Sequence, residues 1–146
     1  MAHIRRFDHV GLTVSDLDAA TAFFVTLGLE VEGTGAVDGE FPSTVCGLPG
    51  TRCELVMLRT PDGSDRLELS RFVTPAPLPG SPAAMPNELG LRNVSFEVAD
   101  LQAAVEAVAA DGYGLVGGIG EYRGSVRMAY VRGPDGIIVS LFEQRG

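Results

Sequence analysis

Phe7-Asp8-His9-Val10-Gly11-Leu12-Thr13-Val14-Ser15-Asp16-Leu17-Asp18-Ala19-Ala20 returns in the second half of the chain as Leu91-Arg92-Asn93-Val94-Ser95-Phe96-Glu97-Val98-Ala99-Asp100-Leu101-Gln102-Ala103-Ala104. A second pair follows the same order: Leu58-Arg59-Thr60-Pro61-Asp62-Gly63 returns as Val131-Arg132-Gly133-Pro134-Asp135-Gly136. Internal repetition decides the architecture before any single element does, because each copy is one supersecondary unit. The copies differ at a telling place, with His9 in the first where the second has Asn93.

Working outward, the opening strand of each copy alternates. Val10, Leu12 and Val14 face one way and His9, Gly11 and Thr13 the other; in the second copy Val94, Phe96 and Val98 oppose Asn93, Ser95 and Glu97. The apolar set needs a partner, which the next segment supplies. Asp16, or Ser15 before it, caps a helix carrying Leu17, Ala20, Phe23, Phe24 and Leu27 at helical spacing until Gly28. Asp100 does the same for Leu101, Ala104, Val105 and Val108, with Gly112 as terminator. Further strands are expected over Leu29–Val37, Cys53–Leu58, Arg66–Phe72, Leu115–Gly120, Ser125–Val131 and Ile137–Phe142, separated by Pro-Asp-Gly turns.

Five prolines, Pro75, Pro77, Pro79, Pro82 and Pro86, fall between Thr74 and Gly90 and exclude a helix or central strand there. The expected organisation is α+β: two tandem βαβββ modules forming a curved mixed sheet around a central cleft, helices outside. Module one covers residues 1–75 and module two 88–146, with a proline-rich connector over 74–90 inside one domain of 146 residues.

Composition narrows the partners. A formal charge of −8 argues against the broad basic surface that nucleic acid or an anionic membrane requires. Cys46 and Cys53 are too few for a disulfide framework and lack metal-type spacing, so reduced cysteines and a cytoplasmic location are expected. No apolar run follows Arg5 and Arg6, so neither a signal peptide nor a membrane span is expected. There is no G-x-G-x-x-G after a strand and no G-x-S-x-G.

The repeated module, opening Asp-His-Val-Gly-Leu-Thr-Val-Ser-Asp-Leu and closing Pro-Asp-Gly before an apolar strand, resembles the vicinal oxygen chelate superfamily. That group includes glyoxalase I, methylmalonyl-CoA epimerase, extradiol dioxygenases, fosfomycin-modifying enzymes and bleomycin-binding resistance proteins. The resemblance covers roughly Phe7 to Gln144 outside the connector, and it implies fold more firmly than reaction.

In metal-dependent members, four ligands come from the first and last strands of each module. The matching positions here are His9 and Glu68 in module one, and Asn93 and Ser140 in module two. An amide and a hydroxyl are weak neutral donors, whereas a catalytic site of this kind needs three or more His or carboxylate ligands. The resemblance therefore implies either no cofactor or a weakly bound divalent metal (Zn, Mn, Ni or Fe) on His9 and Glu68, with Glu97 or Glu143 as the candidate third ligand. Strict alternation gives Glu143 the opposite parity to Ser140, so only a bulge or frayed end would turn it inward.

Three functions stay open from sequence. One is a non-catalytic protein that sequesters a hydrophobic or aromatic metabolite or antibiotic, as bleomycin-binding members do. Another is a divalent-metal-dependent enzyme, a glyoxalase-like lyase, an epimerase or a ring-cleaving dioxygenase with an atypical metal site. The third is a metal-free enzyme in which Glu68, Glu97 or His9 is a general base. The expected ligand-binding cleft comprises His9, Thr13, Met57, Glu68, Asn93, Ser95, Tyr130, Ser140 and Phe142, with Glu68 the candidate catalytic residue, or the carboxylate that orients His9. Phe41, Phe72 and Tyr122 are further candidate apolar walls, and Arg127, Met128 and Tyr130 lie on the strand before the last turn. Asp62 and Asp135 are read as structural, and Arg59 and Arg132 as braces of the two turns. The expected partners are a small molecule and a second copy of the chain, since members of the superfamily commonly pair modules across chains and a long connector allows it.

Overall fold

The computed structural model describes residues 2–145. The chain divides into two compact units, Met1–Leu78 and Pro79–Gly146, and each carries a sheet with a helix on one face.

In the first unit, β1 (Val10–Thr13), β2 (Glu30–Asp38), β3 (Arg52–Arg59) and β4 (Arg66–Thr74) form a mixed sheet in the order β1-β4-β3-β2. Helix α1 (Leu17–Leu27) connects β1 to β2 and packs on β3 and β4. Its start and stop follow the sequence. Asp16 accepts a hydrogen bond from the Ala19 N–H at 2.9 Å, satisfying an amide the helix cannot. At the other end Gly28 takes φ +116, and the Leu29 N–H returns to the Phe24 carbonyl at 3.0 Å, a turn that favours a residue without Cβ.

The alternation resolves into two faces. β1 runs parallel to β4, pairing Leu12 with Leu69 and Gly11 with Glu68; β3 runs antiparallel to β4, pairing Val56 with Leu69 and Met57 with Glu68. Leu58, Leu67 and Leu69 are buried on the α1 side with Phe23 and Phe24, whose rings meet edge to face at 5.1 Å. Each such side chain contributes about 1.5–3 kcal/mol on burial. Gly11, Thr13, Leu55, Met57, Glu68, Ser70 and Phe72 take the opposite parity and stand on the face away from α1.

The second unit repeats the plan. β5 (Asn93–Glu97) is followed by α3 (Leu101–Ala110), then β6 (Gly114–Leu115), β7 (Gly120–Tyr122), β8 (Val126–Arg132) and β9 (Ile138–Gln144). The sheet order is β5-β9-β8-β6, with β7 also on β8. Asp100 caps α3 through the Ala103 N–H at 3.0 Å, and Gly112 at φ +92 closes it as Gly28 closes α1. Leu101 and Val108 of α3 are buried, as are Ala129, Val131, Val139 and Leu141. Among the described residues the fold is therefore α+β, with two sheets and three α-helices.

Two expectations about the elements need correction. A short helix, α2 (Glu40–Cys46), stands between β2 and β3 where no element was expected. It holds Pro42 in its first turn, where a missing N–H costs nothing, between two positive-φ glycines, Gly39 and Gly47. Seven residues are too few for a periodic signal. The strand expected over residues 115–120 is interrupted, because the Gly117-Gly118 pair has no side chains to hold it on β8.

Arg132 braces its turn, donating to the Gly136 carbonyl at 3.1 Å and to Pro82 at 3.1 Å. Arg59 does not; it crosses to Glu30 on β2 at 3.3 Å. Among the described residues, no helix is long and apolar enough to cross a membrane.

Candidate functional site

The polar cluster of the first unit begins one residue before β1. His9 shares the parity of Gly11 and so the side of the sheet away from α1. Its Nδ1 lies 2.6 Å from Asp8 Oδ2, and its Nε2 lies 4.0 Å from Glu68 Oε2. Asp8 is held in turn by Arg6 at 2.8 Å. The hydrogen bond with His9, then the charge of Arg6, lowers the Asp8 pKa below its usual 3.8. With Nδ1 engaged by a carboxylate, Nε2 is the nitrogen presented toward Glu68.

Glu68 sits mid-strand on β4 between Gly11 of β1 and Met57 of β3. A methyl group at Gly11 would only touch Glu68 Oε1, at 4.0 Å, which places the carboxylate directly over this glycine. The Ser70 hydroxyl, two residues along the same face, donates to that oxygen at 3.4 Å. Side-chain exposure of 33% for His9 and 27% for Glu68 leaves both reachable yet partly desolvated. Thr13 and Met57 join them on this face, as expected.

Cys53 is also on this face, opposite Phe72. Burial pushes its thiol pKa up, with Cys46 and Glu68 adding to the effect, so it behaves as a small apolar side chain. Phe41 stands 74% exposed on α2.

In the second unit, parallel pairing sets Ser95 beside Ser140, and Tyr130 faces Ser140 from β8. Ser95 donates to the Ser140 hydroxyl at 3.2 Å. Asn93, Glu97 and Phe142 share this face by parity. The sequence-derived positions of the second unit are thus gathered on one side of one sheet, and they are neutral except for the exposed Glu97. Tyr122 lies outside the set, 63% exposed beneath the guanidinium of Arg123.

Glu143 is corrected as a third ligand. It lies on the α3 side, where Oε1 accepts the Leu101 N–H at 2.9 Å and Oε2 meets Arg145 at 3.4 Å. β9 keeps regular register through Gln144, so no bulge turns Glu143 inward. Its carboxylate satisfies the N-terminus of α3, a role visible in sequence only once the parity of β9 is taken at face value.

The donor set can now be tested against a divalent metal. His9 and Glu68 supply one imidazole nitrogen and one carboxylate. Asn93 offers an amide, and Ser140 a hydroxyl already engaged with Ser95. Among the described residues, no three His, Cys, Asp or Glu side chains are grouped to hold a metal ion. Two charged or imidazole donors do not fit a tightly held catalytic metal.

Comparison with known proteins follows the same line. No curated protein matches the chain. The family model described as the glyoxalase/bleomycin resistance protein/dioxygenase superfamily matches residues 8–130. The chain is similar to the crystal structure of a glyoxalase family protein from Bacillus cereus at 40% identity, with 100% of this chain and 99% of that one covered and a TM-score of 0.94. At the level of fold it is similar to a glyoxylase/bleomycin resistance protein/dioxygenase domain from Frankia sp. EAN1pec (19% identity, 97% and 93% covered, TM-score 0.69). It is similar in the same way to a genomically encoded fosfomycin resistance protein from Listeria monocytogenes (15% identity, 97% and 95% covered, TM-score 0.62). The repeated module, the two helix-backed sheets and the matched family model together establish that this chain belongs to the glyoxalase/bleomycin resistance protein/dioxygenase superfamily.

Proposed function

We propose that this protein binds a small hydrophobic or aromatic molecule, a metabolite or an antibiotic, and holds it without converting it. The observation that carries the reading is the asymmetry of the polar groups. The first unit presents a partly buried, oriented His9–Glu68 pair, while the positions of the second unit that match it by repeat hold the neutral Asn93 and Ser140. Each sheet can donate and accept hydrogen bonds to a ligand whose remaining surface meets apolar side chains of that same face, Met57 in the first unit or Tyr130 and Phe142 in the second. Concave sites that hold small molecules have this composition, with few polar groups among many apolar ones.

The metal-dependent reading rests on the same His9 and Glu68, and it has its own test. Titration with Zn, Mn, Ni or Fe salts should give dissociation constants weaker than about 1 μM, because two strong donors lack the third that a tight site requires. Tighter stoichiometric binding, abolished by His9→Ala, would replace the binder with a metalloenzyme. A metal-free reading gives Glu68 or His9 a proton to move; Glu68→Gln separates it from binding, since the amide keeps the shape and removes the base. A thermal-shift screen of neutral and cationic aromatic compounds tests the proposed role directly. Ligands should raise the melting temperature in proportion to the logarithm of their concentration. His9→Gln and Glu68→Gln should reduce the shift, and a screen in which these variants respond as the wild type does would remove the pair from the site.

A further inference from the structure

The interruption between β6 and β7 makes room for a ligand in the second unit. β6 pairs Leu115 with Val131, and β7 pairs Gly120 with Met128. Five steps along one strand are matched by three along the other, so two extra residues are looped off the ladder. The chain does not leave β8 altogether, since the Val116 N–H still reaches the Tyr130 carbonyl at 2.8 Å. Bulged segments of this kind bend away from their partner strand. The resulting recess measures about 370 Å³ and is lined by Met128 and Tyr130 of β8, by Gly117 and Gly118 of the looped segment, and by Met85 and Pro86 of the connector.

Three features give the recess its chemistry. Its glycines are not there for the backbone: Gly117, Gly118 and Gly120 all lie outside the left-handed region, and a Cβ on any of them meets nothing within 4 Å. What their missing side chains leave is space. None of the lining residues is charged. The nearby cation, Arg132, is committed to the Pro82 and Gly136 carbonyls, and its Nη2 lies 3.6 Å from the Met85 sulfur.

We propose that this recess is a subsite for a neutral aromatic molecule of one or two rings. The proposal rests on the binding role above and adds the class of ligand. Two methionine sulfurs and a tyrosine ring form a polarizable surface suited to an aromatic face or edge. No lining residue offers an ionised group a partner of opposite charge, and the Arg132 guanidinium is already committed to two carbonyls, which disfavours carboxylates and ammonium groups relative to a neutral ring.

The test uses the whole chain labelled with ¹⁵N and two probes of one shape, 2-naphthol and 2-naphthoate, at neutral pH. Saturable binding of 2-naphthol should shift the amides of Gly117, Gly118, Gly120 and Met128, and 2-naphthoate should bind at least roughly tenfold more weakly. Gly118→Val, which the backbone accommodates, should fill the recess and weaken 2-naphthol by roughly tenfold or more at an unchanged melting temperature. Met128→Ala is the second variant should Gly118→Val fold poorly, and a weaker fit to 2-naphthol is again expected. Equal or tighter naphthoate binding, or unchanged affinity in both variants, would overturn the proposal. Shifts confined to His9, Glu68 and their neighbours would overturn the recess while leaving the binder standing. Binding in the recess accompanied by conversion of the probe would do the reverse.

Discussion

Gly63 and Gly136 close the two copies of the Pro-Asp-Gly turn, with φ of +75 and +78, yet they do different work. Around Gly63 an added methyl group would meet nothing, whereas at Gly136 it would overlap the Pro82 backbone. Gly63→Ala should therefore cost only the left-handed penalty, about 1–2 kcal/mol. Gly136→Ala adds displacement of the connector and should cost about 2–5 kcal/mol, the sum of that penalty and the roughly 1–3 kcal/mol of an overpacked site. Denaturant melts of both variants check the difference. Asp62 shows how a turn uses charge. The Thr60 hydroxyl, then the Ser64 N–H and hydroxyl, lower its pKa below the usual 3.8. A depressed carboxylate stabilises the fold above its unfolded pKa and loses that contribution as pH falls through the folded value. Asp62→Asn should thus flatten stability against pH below about 4, the unfolded carboxylate range, and leave the profile near neutrality parallel to the wild type.

At the scale of elements, α3 depends on a residue far from it in sequence. Glu143→Ala frees the Leu101 N–H and removes a negative charge from a helix N-terminus, for an expected loss of about 1–2 kcal/mol. Glu143→Gln, which keeps the acceptor, should lose less; equal losses would show that charge rather than the hydrogen bond matters. The elements show what the sequence makes legible. The two long helices, their caps and the strands of the first unit follow from alternation, helical spacing and Asp or Gly punctuation, so Asp16, Gly28 and Asp100 fall where expected. α2 escaped because seven residues around a proline have no period. The break after Leu115 escaped because glycine is silent about pairing, and register is decided by β8. The same holds for the site. His9, Glu68, Asn93 and Ser140 are positions that the repeat and the family resemblance single out, while the recess residues Met85, Val116 and Gly118 carry no motif and meet only through the connector and the bulge.

For the molecule as a whole, the connector and the residue after it leave large apolar side chains in water: Leu78, Leu89 and Leu91 are 91%, 96% and 86% exposed. We propose that a second copy of the chain covers them. Light scattering should give twice the 15.3 kDa chain mass at micromolar concentration, and a monomer mass at all concentrations would refute pairing. The central claim is that the site holds its ligand unchanged. The most direct measurement incubates the strongest aromatic compound of the thermal-shift screen with stoichiometric protein, then denatures the complex and identifies the released compound by mass spectrometry. Recovery of the starting compound, with the melting temperature still raised at the end of the incubation, is the predicted result. A product of different mass or configuration, formed by the wild type and lost in a folded Glu68→Gln variant, would contradict it and make the His9–Glu68 pair catalytic.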